Sequence, residues 1–205
     1  MKLATTLCTI EQAVEGLADE FRRIPALLLT EDDLKCNVFS RLMLDPELAR
    51  PSESADPRIL ATSLHAELSW FDEKDRLFLK PDLTVIEPRN LSISRSMQNG
   101  VRFPSKGCHF TGNAIILELK FCRRQGGLTR RDARNISSDI SKIQQLILKH
   151  QRHVPPIEVR GFVIVFAKYV RRAPEVDQLI GAHSNAEMIR LIVKTADFRG
   201  VPGTR

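Results

Sequence analysis

The chain has 205 residues, 42% of them hydrophobic, which is enough for one sizeable core and too few for two comfortable ones, so a single domain over 1–205 is expected. Its 31 basic side chains outnumber 25 acidic ones for a net charge of +6, a balance that favours a polyanionic partner and is also common among basic proteins with no such role. Cys8, Cys36, Cys108 and Cys122 show no C-x-x-C or Cys/His spacing. That argues against a zinc knot or disulfide framework and fits reduced thiols in a cytoplasm.

Ile10, Val14, Leu17 and Phe21 recur at helical spacing, so residues 9–23 read as an amphipathic helix that stops before Pro25, within an N-terminal packing segment 1–29. Glu11 and Glu15 arrive too early for a secretory leader. A second helix starts at Thr30, a good cap, with Glu31, Asp32 and Asp33 in the first turn and Leu34, Val38 and Leu42 as its apolar stripe. Three prolines in DPELARPSESADPR (45–58) mark a loop. LHAELSWF (64–71) alternates as one strand, with His65, Glu67 and Ser69 on its polar face. The turn FDEKDR then leads into RLFLKPDLTVIEP (76–88), where Pro81 marks an irregularity or strand edge just before Asp82. His65 and Glu67 would lie beside that strand as a proton carrier and an auxiliary ligand, although a solvated polar face accounts for both equally.

NAIILELKFC (113–122) is a strand in which Glu118 and Lys120 share one face, while Ile115, Leu117, Leu119 and Phe121 fill the other. A carboxylate and an ammonium on a strand this apolar call for partners or a function. The bland alternative is a cross-strand ion pair on a half-solvated sheet. Between the two strands, 90–112 reads as an inserted hairpin or flap carrying Arg95, Arg102 and Lys106. After Lys120 comes CRRQGGLTRRDARN, the densest cationic segment. There Gly126 and Gly127 give flexibility, and Arg123, Arg124, Arg130 and Arg131 form a phosphate clamp, because arginine forks pair bidentately with phosphate. A solvated charge run is the competing reading.

A helix over ISSDISKIQQLILKHQ has Ile136, Ile140, Ile143 and Ile147 as its core stripe. EVRGFVIVFAKY (158–169) follows as a fully buried strand parallel to its predecessor; its apolar run is far too short to span a bilayer. PEVDQLI suggests a short helix. SNAEMIRLIVKTADF offers both a capping box at Ser184 and Glu187 and a β-branched run that favours a final strand.

Pro81-Asp82 followed by Glu118-Leu119-Lys120 on a later strand resembles the signature of the PD-(D/E)xK nuclease superfamily, and the order of strand, excursion, strand, basic segment and helix is similar to that family's core. The resemblance implies an α/β fold with a restriction-endonuclease-like core, a central mixed sheet flanked by helices. It implies Mg²⁺, with Mn²⁺ as a substitute, on Asp82, Glu118 and the Leu119 carbonyl, and Lys120 acting on the attacking water. It also implies an acidic residue from the preceding helix, Glu31 or else Asp32, and a polar residue such as Lys142 from the following one. Gln144 is followed four on by Leu148 and Gln145 by Lys149, so the Gln-x-x-x-Tyr of the recombination-nuclease branch is missing. The expected activity is metal-dependent hydrolysis of nucleic acid, DNA favoured, with no membrane partner; a homodimer or partner protein stays open. The alternative is an inactivated nuclease fold that binds nucleic acid or another subunit.

Overall fold

The computed structural model describes residues 3–56, 58–71, 77–93, 108–110, 112–151 and 158–198. Helix α1 (Leu3–Arg23) buries Thr6, Ile10, Val14, Leu17, Ala18 and Phe21, the expected stripe begun six residues earlier. Helix α2 (Glu31–Leu42) is started by a reciprocal capping box: the Thr30 hydroxyl accepts from the Asp33 N–H, and the Asp33 carboxylate accepts from the Thr30 N–H. The 45–58 segment is less irregular than its prolines suggested. It holds a one-turn helix α3 (Pro46–Ala49), capped by Asp45, and a short strand β1 (Ser52–Glu53) paired with β2 (Leu60–Ala61).

Five strands form the main sheet: β3 (Leu64–Ala66), β6 (Leu83–Ile86), β9 (Ala114–Cys122), β10 (Val159–Ala167) and β11 (Ile189–Thr195), in the order β11-β10-β9-β6-β3. β3 and β6 are antiparallel, as are β6 and β9, whereas β9, β10 and β11 run parallel, so the sheet is mixed as expected. Two smaller pairs flank it, β4 (Trp70–Phe71) with β5 (Leu77–Leu79) and β7 (Leu91–Ile93) with β8 (Cys108–Phe110). The latter forms the base of the expected 90–112 hairpin; Arg95, Arg102 and Lys106 lie outside the described residues, as does the 72–76 turn.

The reading of 64–71 as a single strand is corrected. It breaks at Glu67, whose φ of 54° no regular strand accommodates, and the chain resumes as β4 paired away from the main sheet. Helix α4 (Arg130–His150) joins β9 to β10, and α5 (Pro174–His183) joins β10 to β11. Parallel neighbours need such crossovers, because a tight turn can only join antiparallel strands. Ser184 ends α5 and starts no helix, so the capping-box reading there gives way to the strand alternative, β11.

Two cores form on opposite faces of the sheet. Leu83, Val85, Ile115, Leu117, Leu119, Phe162, Ile164 and Phe166 pack with α1 and α2. Ile86, Ala114, Ile116, Val163 and Val165 pack with Ile136, Ile140, Ile143 and Ile147 of α4 and Val176 of α5. The second core needs α4 close in: a Cβ on Gly161 would sit 2.6 Å from Ile143 Cγ2. No described helix is long and apolar enough to cross a membrane.

The 122–134 segment is pinned rather than flexible. The Leu128 N–H donates to the Arg171 carbonyl, the Ala173 N–H donates to the Leu128 carbonyl, and Leu128 itself is buried. Gly127 makes the close approach possible with a φ of +72°, and a Cβ there would lie 1.8 Å from the Arg171 oxygen. A second capping box, Thr129 with Asp132, then starts α4. Gly127→Ala is therefore expected to destabilise the fold by about 2 kcal/mol or more, whereas Gly126→Ala, which meets nothing within 4 Å, should change it by less than about 0.5 kcal/mol. Urea melts of the two variants read the difference.

Candidate active site

β9 is buried on both faces from Ala114 to Leu117, and its pairing with β6 ends at Leu83 opposite Leu117. One step further in the same register sets Asp82 opposite Glu118. Pro81 has no N–H for a ladder, and β6 begins only at Leu83, so the edge of β9 beyond Leu117 is open to side chains. Two carboxylates take it. Asp82 Oδ2 accepts from the Leu119 N–H at 2.7 Å, and Glu31 Oε2, from the first turn of α2, accepts from the Phe121 N–H at 3.2 Å. A strand residue's N–H and C=O point to the same neighbour, so the Leu119 carbonyl lies along this edge too. Glu31 is thus the acid of α2 that reaches the site. Asp32 is turned out to solvent and pairs with Lys35 at 3.3 Å, and Asp33 is held by the helix cap.

Glu118 and Lys120 share the α4 face, as their alternation required. Burial, then the charges of Asp82 and Asp139, push the Glu118 carboxyl from the ordinary 4.5 up to about 7. Burial also raises Asp82, only partly offset by the Leu119 N–H and by the charges of Lys35 and Lys120. For Lys120 burial works the other way, but its hydrogen bond to Asp139 and the charges of Asp139, Glu118 and Glu31 outweigh it, leaving the ammonium above its ordinary value. Its Nζ lies 2.7 Å from Asp139 Oδ2 and 4.0 Å from Glu118 Oε1.

Asp139 is the member that sequence reasoning missed. It lies three residues after Ile136 and four before Ile143, on the stripe α4 buries, and a carboxylate in an apolar stripe was the signal that could have found it. Its other oxygen, Oδ1, holds Lys142 at 3.0 Å, so Lys142 reaches the site through Asp139. Lys35 was missed as well. It and Lys80 grip the two Glu67 oxygens at 2.8 and 2.5 Å, which draws the Glu67 carboxyl down to about 2 and raises Lys35. Glu67 stands beside Asp82, donating its N–H to the Asp82 carbonyl, but both carboxylate oxygens are engaged by lysines. His65 sits opposite Thr84, with burial lowering its pKa and with no described partner for Nε2.

The four clamp arginines divide into two pairs. Arg124 binds Asp132 and Arg130 binds Glu175, whereas Arg123 and Arg131 are exposed and pair with no described acid.

Among the described residues no three His, Cys, Asp or Glu side chains gather tightly enough to form a complete metal cage. The donors present fit a different kind of site. Mg²⁺ keeps several waters and is commonly held by one or two carboxylates, and a divalent charge would offset the burial and the Asp82 and Asp139 charges that raise the Glu118 pKa. Comparison with protein-family models, with curated proteins and with solved structures gives no match to this chain.

The raised Glu118 pKa makes stability depend on pH. Between about 4.5 and 7 the folded protein binds more protons at this site than the unfolded chain, so metal-free stability is expected to fall as pH rises through that window. Glu118→Gln should remove that loss and make the metal-free protein more stable at pH 8 by on the order of 2–3 kcal/mol. Thermal melts in chelator from pH 4 to 8 test this.

Proposed function

We propose that this chain is a metal-dependent nuclease with a restriction-endonuclease-like core, hydrolysing phosphodiester bonds of nucleic acid, DNA favoured. The observation that carries the reading is the open edge of β9, where Asp82, Glu118 and Lys120 converge with Glu31 and where burial, then the charges of Asp82 and Asp139, raise the Glu118 carboxyl to about 7. An ion pair kept only for stability would gain little from such burial, since the cost of desolvating two charges commonly offsets their attraction.

Asp82, Glu118 and the Leu119 carbonyl would hold Mg²⁺ or Mn²⁺, which supplies charge stabilisation at the phosphoryl oxygens and an acidified water. Lys120 donates hydrogen bonds to the attacking water and offsets negative charge as it develops on phosphorus-bound oxygen. Glu31, tied to the Phe121 N–H, adds a carboxylate at the solvent end of the same edge. Arg123 and Arg131, exposed and paired with no described acid, would bind the polymer backbone, and contacts of that kind position without reading sequence.

Incubation with single- and double-stranded DNA and RNA, in Mg²⁺, Mn²⁺ or chelator, tests the reading. Cleavage that depends on the metal and drops about a thousandfold in Asp82→Ala, Glu118→Ala or Lys120→Ala is expected, equivalent to about 4 kcal/mol of transition-state stabilisation. No cleavage of any polymer, together with a melting temperature indifferent to Mg²⁺, would hand the chain to the alternative of an inactive fold that binds nucleic acid or a partner, because a ligand bound only by the native state must stabilise it.

The arginines should separate in a salt titration. Replacing Arg123 and Arg131 by Ala is expected to flatten the dependence of log affinity on log salt by roughly 0.9 for each duplex phosphate that is no longer neutralised, while the turnover rate at saturating substrate survives. Arg124→Ala and Arg130→Ala, whose guanidinium groups are already paired, should flatten it less.

A further inference from the structure

Asp139 is the one Asp or Glu among the buried described residues, 8% exposed on the face of α4 that packs the sheet. A buried ion pair is a poor stability device, since well-packed apolar side chains of similar volume do as well or better. What this pair does accomplish is geometric. Asp139 takes the Lys120 ammonium at 2.7 Å and leaves it 4.0 Å from Glu118, beyond the roughly 2.8 Å of a charge-assisted contact. Glu118 is the other acid within 4.0 Å of that ammonium among the described residues. A Lys120 released from Asp139 would close on Glu118 and occupy the oxygens that the proposed metal site needs.

We propose that Asp139 is a positioning residue that holds the Lys120 ammonium off Glu118, keeping the Glu118 carboxylate open to a divalent cation. The inference rests on the carboxylate metal site proposed above. Asp139 touches neither metal nor substrate in this scheme; it acts through Lys120. Lys142, on the outer oxygen, orients the Asp139 carboxylate so that Oδ2 faces inward.

Mn²⁺ binding to the full chain, followed by electron paramagnetic resonance of the free ion, tests this without any need for turnover. Asp139→Asn should weaken Mn²⁺ binding about tenfold, and Asp139→Glu, which keeps the charge, should restore it. Lys120→Ala/Asp139→Asn should bind Mn²⁺ within about twofold of Lys120→Ala alone, because with no ammonium to hold, Asp139 loses its positioning role and keeps only the weaker effect of its charge on Glu118. A crystal structure of Asp139→Asn should show Lys120 in contact with Glu118. Unchanged Mn²⁺ affinity in Asp139→Asn overturns the proposal, as does a larger loss in the double variant, which would give Asp139 a direct effect on the ion. The double-variant comparison also stands if Asp139→Asn alone fails to fold. Should the wild-type chain bind no Mn²⁺, the metal-site reading falls by itself and the crystal structure decides the positioning: a Lys120–Glu118 contact supports it, and an unmoved ammonium sinks it.

Discussion

The hydrogen bond from the Leu119 N–H to Asp82 is the interaction on which the candidate site depends. It stands where the next rung of the β6–β9 ladder would be: β6 starts only at Leu83, so the Asp82 side chain takes the Leu119 N–H, and Pro81, with no N–H, cannot donate to the Leu119 carbonyl. Replacing a backbone acceptor by a side-chain carboxylate satisfies the same buried donor while bringing a negative charge opposite Glu118. The edge that remains free beyond it admits Glu31 from α2, so a helix from one face and a strand from the sheet meet at a single backbone stretch.

The rest of the molecule supports that edge by making β9 immovable. Its first four residues are fully buried between two cores, and it is hydrogen-bonded to β10 along its whole length. Changing register by one residue would exchange Glu118 and Lys120 with Leu117 and Leu119, placing charge against α1 and α2 and apolar groups in the notch. Gly161 and Gly127 serve the same end at a distance, one letting α4 settle onto β10 and the other tying the start of α4 to the chain after β10. Both fix the height at which Asp139 faces Lys120.

The packing leaves the site's charges unevenly balanced. Glu118 is partly buried and feels the charges of both Asp82 and Asp139, with the Lys120 ammonium held by Asp139, while Glu67, at the break after β3, is neutralised by Lys35 and Lys80. The consequence is that Glu118 titrates near neutral pH and Asp82 is raised, beside a Glu67 that is firmly ionised, an arrangement that a divalent cation would relax.

Period-two alternation in 113–122 determined by itself that Glu118 and Lys120 share a face, and the apolar stripes of 9–23 and 136–147 determined which sides of their helices are buried, because both follow from local backbone geometry. Thr30 likewise marked where α2 begins, whereas α4 starts under the Thr129 cap at Arg130, six residues before the helix expected from 136. The break at Glu67 was not legible: its φ is positive without a glycine to signal it, and the lysines that take its carboxylate lie 32 residues before and 13 after it in the chain. Nor could the sequence choose between Glu31 and Asp32, or show that Arg124 and Arg130 are already paired while Arg123 and Arg131 are not. Those outcomes depend on helix direction and on acids elsewhere in the chain. Asp139 lies between the two cases: its place on a buried stripe was visible, but that its partner would be Lys120, 19 positions earlier, was decided only when α4 packed across β9 and β10, because no local rule relates a helix face to a particular residue of a strand.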